Sequence, residues 1–342
     1  MRTTLEARLP LGQILIGDVR TRLLELPSAS VDTVITSPPY FALRDYGHRH
    51  QLGQEPNIRE WVANLVGVCD ELARVLKPGG SLWLNVADQL SAHRREGAAK
   101  KSLLLGPERL AIALEEHGWI IRNKIIWAKS NPMPSSVRDR LSCSHEVIFL
   151  LVRSPKYFFD LDVIRQPLLS TAKKQPQASD YQYLPDELFP AGAQVDDNRG
   201  LNRLKVQGLA GHPLGKNPGD VWQLSTSGYR GAHFATFPLA LVERSLLASC
   251  PAKVCAACGA PWTRESVDRQ QEPPRLGALH AGCRCGGATS PGVVLDPFIG
   301  SGTVALATEL HGRQWIGIEL NPTYAALAEQ RIAHERRHRG RR

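Results

Sequence analysis

With 342 residues, 42% hydrophobic and 22% charged, the chain has the length and apolar content for one large α/β domain carrying insertions. Its longest apolar runs, such as 147–152, are far too short to span a bilayer, and its first residues lack a secretory signal pattern, so a cytoplasmic protein is expected. The 42 Lys and Arg against 33 Asp and Glu leave a formal charge of +9, which favours a polyanionic partner through phosphate neutralisation, while seven cysteines in a reducing compartment point to metal ligands rather than a disulfide framework.

In chain order, Ile14 to Ile16 reads as a short buried strand that turns at Gly17-Asp18, and Val31 to Thr36 reads as a second strand running directly into Ser37-Pro38-Pro39-Tyr40. Residues 58–76 carry apolar positions at helical spacing, Lys77-Pro78-Gly79-Gly80 breaks the pattern, and Ser81 to Val86 resumes as a strand. A helix over 107–117 and strands over 120–127 and 146–153 follow. From 162 to 220 the chain is rich in Pro, Gln, Gly and Asn with scattered basic residues, which suits a loop-rich recognition insertion. A helix over 238–248 precedes a cysteine-bearing segment, and 288–335 restores a β-α-β-α rhythm, with strands at 293–296 and 315–319 and helices at 302–311 and 322–334. The expected organisation is a catalytic half over 1–161, a recognition insertion over 162–220, a return to the main domain over 221–252, a zinc ribbon over 253–287, a second half over 288–335 and a basic tail over 336–342.

Two segments carry chemistry. In Asp296-Pro297-Phe298-Ile299-Gly300-Ser301-Gly302-Thr303 a strand ends in a glycine turn that opens a helix, as needed where backbone must closely approach a ligand. About 20 residues on, at the end of the next strand, Glu319 stands where an acidic side chain accepts hydrogen bonds from ribose hydroxyls, followed by Asn321. Asp296, Phe298, Gly300, Gly302, Thr303, Glu319 and Asn321 are therefore expected at a nucleoside cofactor. Ser37-Pro38-Pro39-Tyr40, the other segment, is interpretable as a catalytic turn. An exocyclic amino nitrogen of a base is a poor nucleophile because its lone pair is delocalised into the ring. Acceptors that hold its hydrogens, such as Ser37 Oγ and the Pro38 carbonyl, free that lone pair, and two prolines stiffen the loop and remove backbone donors. Tyr40 is expected to stack on a base flipped out of the duplex.

Together these motifs resemble the β-class, permuted S-adenosylmethionine-dependent DNA amino-methyltransferases, whose catalytic motif precedes the cofactor motif. The resemblance covers nearly the whole chain. It implies a Rossmann-like α/β methyltransferase fold with a mostly parallel sheet, S-adenosylmethionine as cofactor and double-stranded DNA as partner, with a companion restriction nuclease and a homodimer as further partners. It also implies that Asp18 meets the cofactor adenine, that His233 and Phe237 belong to the block closing over the methionine moiety, and that Trp127 and Lys129 line the flipped-base pocket. In this family a leading Ser goes with cytosine N4 and a leading Asp with adenine N6, so Ser37 favours N4-cytosine, with N6-adenine as the alternative. Carbon-5 methylation needs a Cys nucleophile, usually after Pro, and the chain has no Pro-Cys pair. A non-catalytic zinc-ribbon DNA-binding protein on a decayed methyltransferase scaffold is the further alternative.

Cys255-Ala256-Ala257-Cys258-Gly259 has the form of a zinc knuckle, and Cys283-Arg284-Cys285 supplies a second half. Four thiolates make a closed structural zinc site, with His280 as a substitute ligand. Cys69, Cys143 and Cys250 have no suitably spaced partners.

Overall fold

The computed structural model describes residues 9–48, 50–167, 212–226, 237–267 and 273–339. Contacts divide the chain into two units, Met1–Asp160 with Gly219–Thr263 and Leu279–Arg342, and Leu161–Pro218 with Arg264–Ala278. Within the described part of the smaller unit, Arg165 Nε donates to Asp162 Oδ1 at 2.7 Å and Glu265 N to the Ala278 carbonyl at 3.0 Å.

In the larger unit the chain forms β1 (Gln13–Ile16), α1 (Val19–Arg22), β2 (Val31–Thr36), α2 (Ile58–Val75), β3 (Leu76–Val86), α3 (Gly106–Glu116), β4 (Ile120–Lys129), β5 (His145–Val152) and β6 (Val221–Leu224). There follow α4 (Leu239–Ser249) and the two-residue strands β7 (Val254–Cys255), β8 (Thr263–Arg264), β9 (Leu279–His280) and β10 (Thr289–Ser290). The last elements are β11 (Val293–Asp296), α5 (Thr303–Leu310), β12 (Gln314–Glu319) and α6 (Pro322–Arg339).

Eight strands form one sheet in the order β1-β12-β11-β2-β3-β5-β4-β6. Among the described strands of this sheet only β5 runs antiparallel to its neighbours, so the sheet is mostly parallel. The alternation of side chains along each strand sends them to two covered faces. Leu82, Leu84 and Val86 of β3 and Val147, Phe149 and Leu151 of β5 join α2 and α3 in one buried cluster. On the other side, the Thr33 hydroxyl donates to the Ser249 carbonyl at 2.8 Å and Trp83 Nε1 to Ser249 Oγ at 2.9 Å, tying β2 and β3 to the end of α4. The result is a Rossmann-like helix-sheet-helix arrangement.

Local sequence explains the elements that frame the site. Asn57 caps α2, its side chain accepting from Arg59 N and Glu60 N, while Ile58, Trp61, Leu65, Cys69 and Leu72 recur on the buried face. The break expected at 77–80 is a bulge within β3: Val31 pairs with Leu76 and Thr33 with Ser81, so residues 77–80 stand opposite Asp32 alone, and Gly80 packs its bare Cα against the Asp32 carbonyl, where a Cβ would come within 2.8 Å. The parallel pairing of β11 with β2, Leu295 opposite Val34, sets the cofactor-type turn and the Ser-Pro-Pro-Tyr turn side by side at the carboxyl edge of the sheet. No helix among the described residues is long and apolar enough to cross a membrane.

Candidate active site

A cavity of about 820 Å³ opens at that edge, within the range of sites for small molecules. Ser37, Pro38, Pro39, Tyr40, Asp18, Trp127, Lys129, Phe237, Asp296, Phe298, Gly300, Thr303, Glu319 and Asn321 all line it. His233 lies outside the described residues. Gly302 does not line the cavity. Its φ of +79° turns the chain into α5, and a Cβ there would press to 3.3 Å on Ala328 and Ile332, so its lack of a side chain serves the turn and the packing of α6.

At one end the glycine turn folds back on two acids. Asp296 is 2% exposed, and its Oδ1 accepts from Thr36 Oγ1 at 2.7 Å and from Phe298 N at 3.1 Å. Burial outweighs those bonds and pushes its carboxyl up to about 7. Glu319 accepts from Gly300 N at 3.0 Å with one oxygen and from Asn321 N at 2.9 Å with the other, and burial raises its carboxyl as well. Asp18 caps α1, accepting from Arg20 N at 2.9 Å, and the Arg20 side chain holds its carboxyl below the usual range. Asn321 reaches the Tyr46 carbonyl at 3.2 Å, and the Tyr46 and Tyr324 rings meet edge to face with centroids 6.3 Å apart.

At the other end stands a network that sequence inspection did not assemble. Ser37 Oγ donates to Tyr40 Oη at 3.0 Å, and Tyr40 Oη donates to Glu146 Oε2 at 2.6 Å. Asn85 Nδ2 reaches Tyr40 Oη and Glu146 Oε2, each at 2.8 Å, and Lys129 Nζ pairs with Glu146 Oε1 at 2.6 Å. The ammonium of Lys129 also lies 5.2 Å from the Trp127 ring centroid. Tyr40 is expected from sequence as a stacking ring, and the structure adds that its hydroxyl is tied into this network. Burial first, and the Glu146 carboxylate next, hold its phenol well above the ordinary range, so it stays protonated. Trp61 Nε1 occupies the Pro39 carbonyl at 3.0 Å, which leaves Pro38 to offer a carbonyl acceptor.

The side chains found only in the structure come from positions with weak local signals. Asn85 interrupts the apolar run of β3 and Glu146 stands just ahead of that of β5, and a lone polar residue at such a place is a weak cue. Leu43, Arg44, Tyr46, His48, His50 and Gln51 come from the aperiodic β2–α2 loop. Arg44 Nη1 is buried in the cavity wall with no partner among the described residues.

Residues 31–330 match the profile of the N6/N4 methyltransferase family of DNA methylases. The chain belongs to this family. It is 34% identical to Type II methyltransferase M.SmaI of Serratia marcescens, over 97% of this chain and 94% of that one. It is 32% identical to Type II methyltransferase M.Cfr9I of Citrobacter freundii, over 93% and 87%. Among solved structures it shares its fold with the cytosine-N4-specific PvuII DNA methyltransferase, with a TM-score of 0.56 and 18% identity over 92% of this chain and 84% of that one. The chain is thus a DNA amino-methyltransferase of the N4/N6 class with a Rossmann-like methyltransferase fold.

Proposed function

We propose that this enzyme transfers a methyl group from S-adenosylmethionine to the N4 amino group of a cytosine flipped out of double-stranded DNA. The observation that carries the reading is the single cavity in which a hydroxyl, Ser37, stands in the catalytic turn alongside the paired acids of the glycine turn. The cofactor brings a sulfonium-bound methyl that is already electrophilic, so the protein's work is positioning. Its residues suit that group: Glu319 keeps lone pairs beyond its backbone donors, Asp296 offers a carboxylate, and Arg44 carries a buried donor nitrogen without a partner among the described residues. Ser37 Oγ and the Pro38 carbonyl then hold the amino hydrogens, and Trp127 and Tyr40 wall the base.

Cytosine is favoured over adenine because a neutral hydroxyl stands at position 37, where a carboxylate would be the stronger acceptor for an adenine amino group. Incubating the protein with unmethylated DNA and labelled cofactor, followed by nucleoside analysis, should yield N4-methylcytosine. Labelled N6-methyladenine would sink the base assignment, and a fully active Ser37→Ala variant would sink the mechanism.

The same reading includes a structural zinc ion. The Sγ atoms of Cys255, Cys258, Cys283 and Cys285 all lie within 4.8 Å of one another, a separation suited to one tetrahedral ion. Backbone N–H groups of Cys258 and Ala257 point at Cys255 Sγ, and Gly259, with φ +71°, completes the knuckle. His280 Nε2 instead contacts Thr263 Oγ1 at 3.1 Å and is not in the cluster.

A further inference from the structure

Methyl transfer to an amino group leaves a problem that positioning does not solve. The nitrogen lone pair forms the new N–CH3 bond while the S–CH3 bond breaks and its electron pair stays on sulfur. The nitrogen is left cationic and must lose a proton. Ser37 Oγ, the acceptor facing that proton in the reading above, is a poor final resting place, because a hydroxyl that keeps an extra proton becomes an oxonium ion.

We propose that Glu146 is the terminal acceptor of the proton shed by the target amino group, reached through the hydroxyls of Ser37 and Tyr40. The hydrogen bonds already run in that direction, from Ser37 Oγ to Tyr40 Oη at 3.0 Å and from Tyr40 Oη to Glu146 Oε2 at 2.6 Å. As the amino proton passes to Ser37, the Ser37 proton passes to Tyr40 and the Tyr40 proton to Glu146. Both hydroxyls end as they began. The positive charge on sulfur and the negative charge on the carboxylate disappear together, so the step balances without a co-reactant.

The surroundings fit a relay rather than an incidental contact. Asn85, 3% exposed, bridges Tyr40 Oη and Glu146 Oε2 through one nitrogen, which fixes both partners at once. Lys129 occupies the other carboxylate oxygen and leaves Oε2 to Tyr40 and Asn85. Asn85 Oδ1 is buried without a partner among the described residues, a desolvation cost that the fold bears while the amide nitrogen is turned toward the relay. The phenol, held protonated by burial, passes a proton along rather than storing one. Glu146 acts through Tyr40 and Ser37, so it is a positioning residue and not a contact of the base. In this arrangement a hydroxyl at position 37 works with a carboxylate supplied from β5.

The inference rests on the reading that the target amino group meets Ser37, and single-turnover methyl transfer tests it separately. Glu146→Gln should slow the transfer at least about 100-fold, the lower end of a general-base contribution. Tyr40→Phe should slow it comparably, and the double variant should be no slower than the slower single variant, because each change breaks the same chain. Glu146→Ala should recover at least tenfold with added formate, which a merely structural role would not allow. Binding of S-adenosylhomocysteine, and the fluorescence of a base analogue at the target position, should stay within twofold of the unsubstituted enzyme. A Glu146→Gln rate within threefold of that enzyme, or full additivity of the two substitutions, would overturn the relay, as would Glu146→Ala folding without formate rescue. If the alanine variant does not fold, the Gln and Phe variants decide. The identity of the methylated nucleoside reports on the base assignment alone, since the relay is read from rate ratios whichever base is modified.

Discussion

Thr36 Oγ1 donates to Asp296 Oδ1 at 2.7 Å, joining side chains 260 positions apart in the chain. Thr36 ends the strand that leads into the Ser-Pro-Pro-Tyr turn, and Asp296 ends the strand that leads into the glycine turn. The two halves of the site are therefore coupled by one buried bond at the centre of the sheet.

The burial of the carboxyl in that bond has a pH consequence. Burial raises Asp296 to about 7 from the ordinary 3.8, so the ligand-free folded protein holds a proton there that the unfolded chain has released. The contribution to stability is fully present below about pH 4 and is lost as pH rises through about 7. An amino-acid ammonium of the cofactor prefers the ionised carboxylate, so cofactor affinity should rise through the same range, with proton release on binding. Calorimetry in buffers of different ionisation heat checks this, and Asp296→Asn should abolish the release. Thr36→Val removes the bond that opposes the upward shift, so the affinity midpoint should move to higher pH.

Arg44 is expected to meet the carboxylate end of the cofactor. Its buried Nη1 has no partner among the described residues, and a hydrogen bond to a charged group contributes about 1.5–3 kcal/mol. Arg44→Met should weaken S-adenosylhomocysteine binding at least tenfold while leaving a decarboxylated analogue unaffected. Equal losses for the two ligands would count against the assignment.

Gly302→Ala should destabilise the fold by about 1–2 kcal/mol from backbone strain, with an added penalty from the 3.3 Å approach to Ala328 and Ile332. Gly312, at φ +66° with nothing within 4 Å of its added Cβ, is the matched control that reports strain alone. Denaturant melts of the two variants should differ by the packing contribution, and identical midpoints would refute it.

Zinc stoichiometry should be close to one per chain. Cys255→Ser and Cys283→Ser should each lower it and the melting temperature, whereas substituting Cys69 or Cys143 should leave the metal in place. Equal metal content in all four variants would show that the cluster is not the site.

The Ser-Pro-Pro-Tyr turn and the glycine turn were legible because each follows a β-branched strand and is punctuated by Pro or Gly, signals that reside in a few adjacent residues. The mostly parallel sheet followed from the alternation of strand and helix patterns. Asn85 and Glu146 were not legible, because their importance lies in pairing between strands: Glu146 sits opposite Trp127 on β4, and the neighbouring Val147 pairs with Val86 on β3. A strand pattern reveals which face a residue occupies but not which partner stands across from it. The 43–52 loop has no periodicity to read. Gly302 shows that a glycine in a ligand motif can also answer to packing that local sequence does not display, here its close approach to α6.

Because β5 runs against its neighbours, its opening residues reach the sheet edge where β2 and β3 end. Glu146 consequently arrives at the cavity from a strand clasped on both flanks, whereas the turns it serves are loops. The acceptor end of the site is thereby anchored: an incoming base has to be brought into register with the Ser37 hydroxyl that Glu146 holds through Tyr40, and discrimination among bases can then reside in how well each amino group meets that hydroxyl.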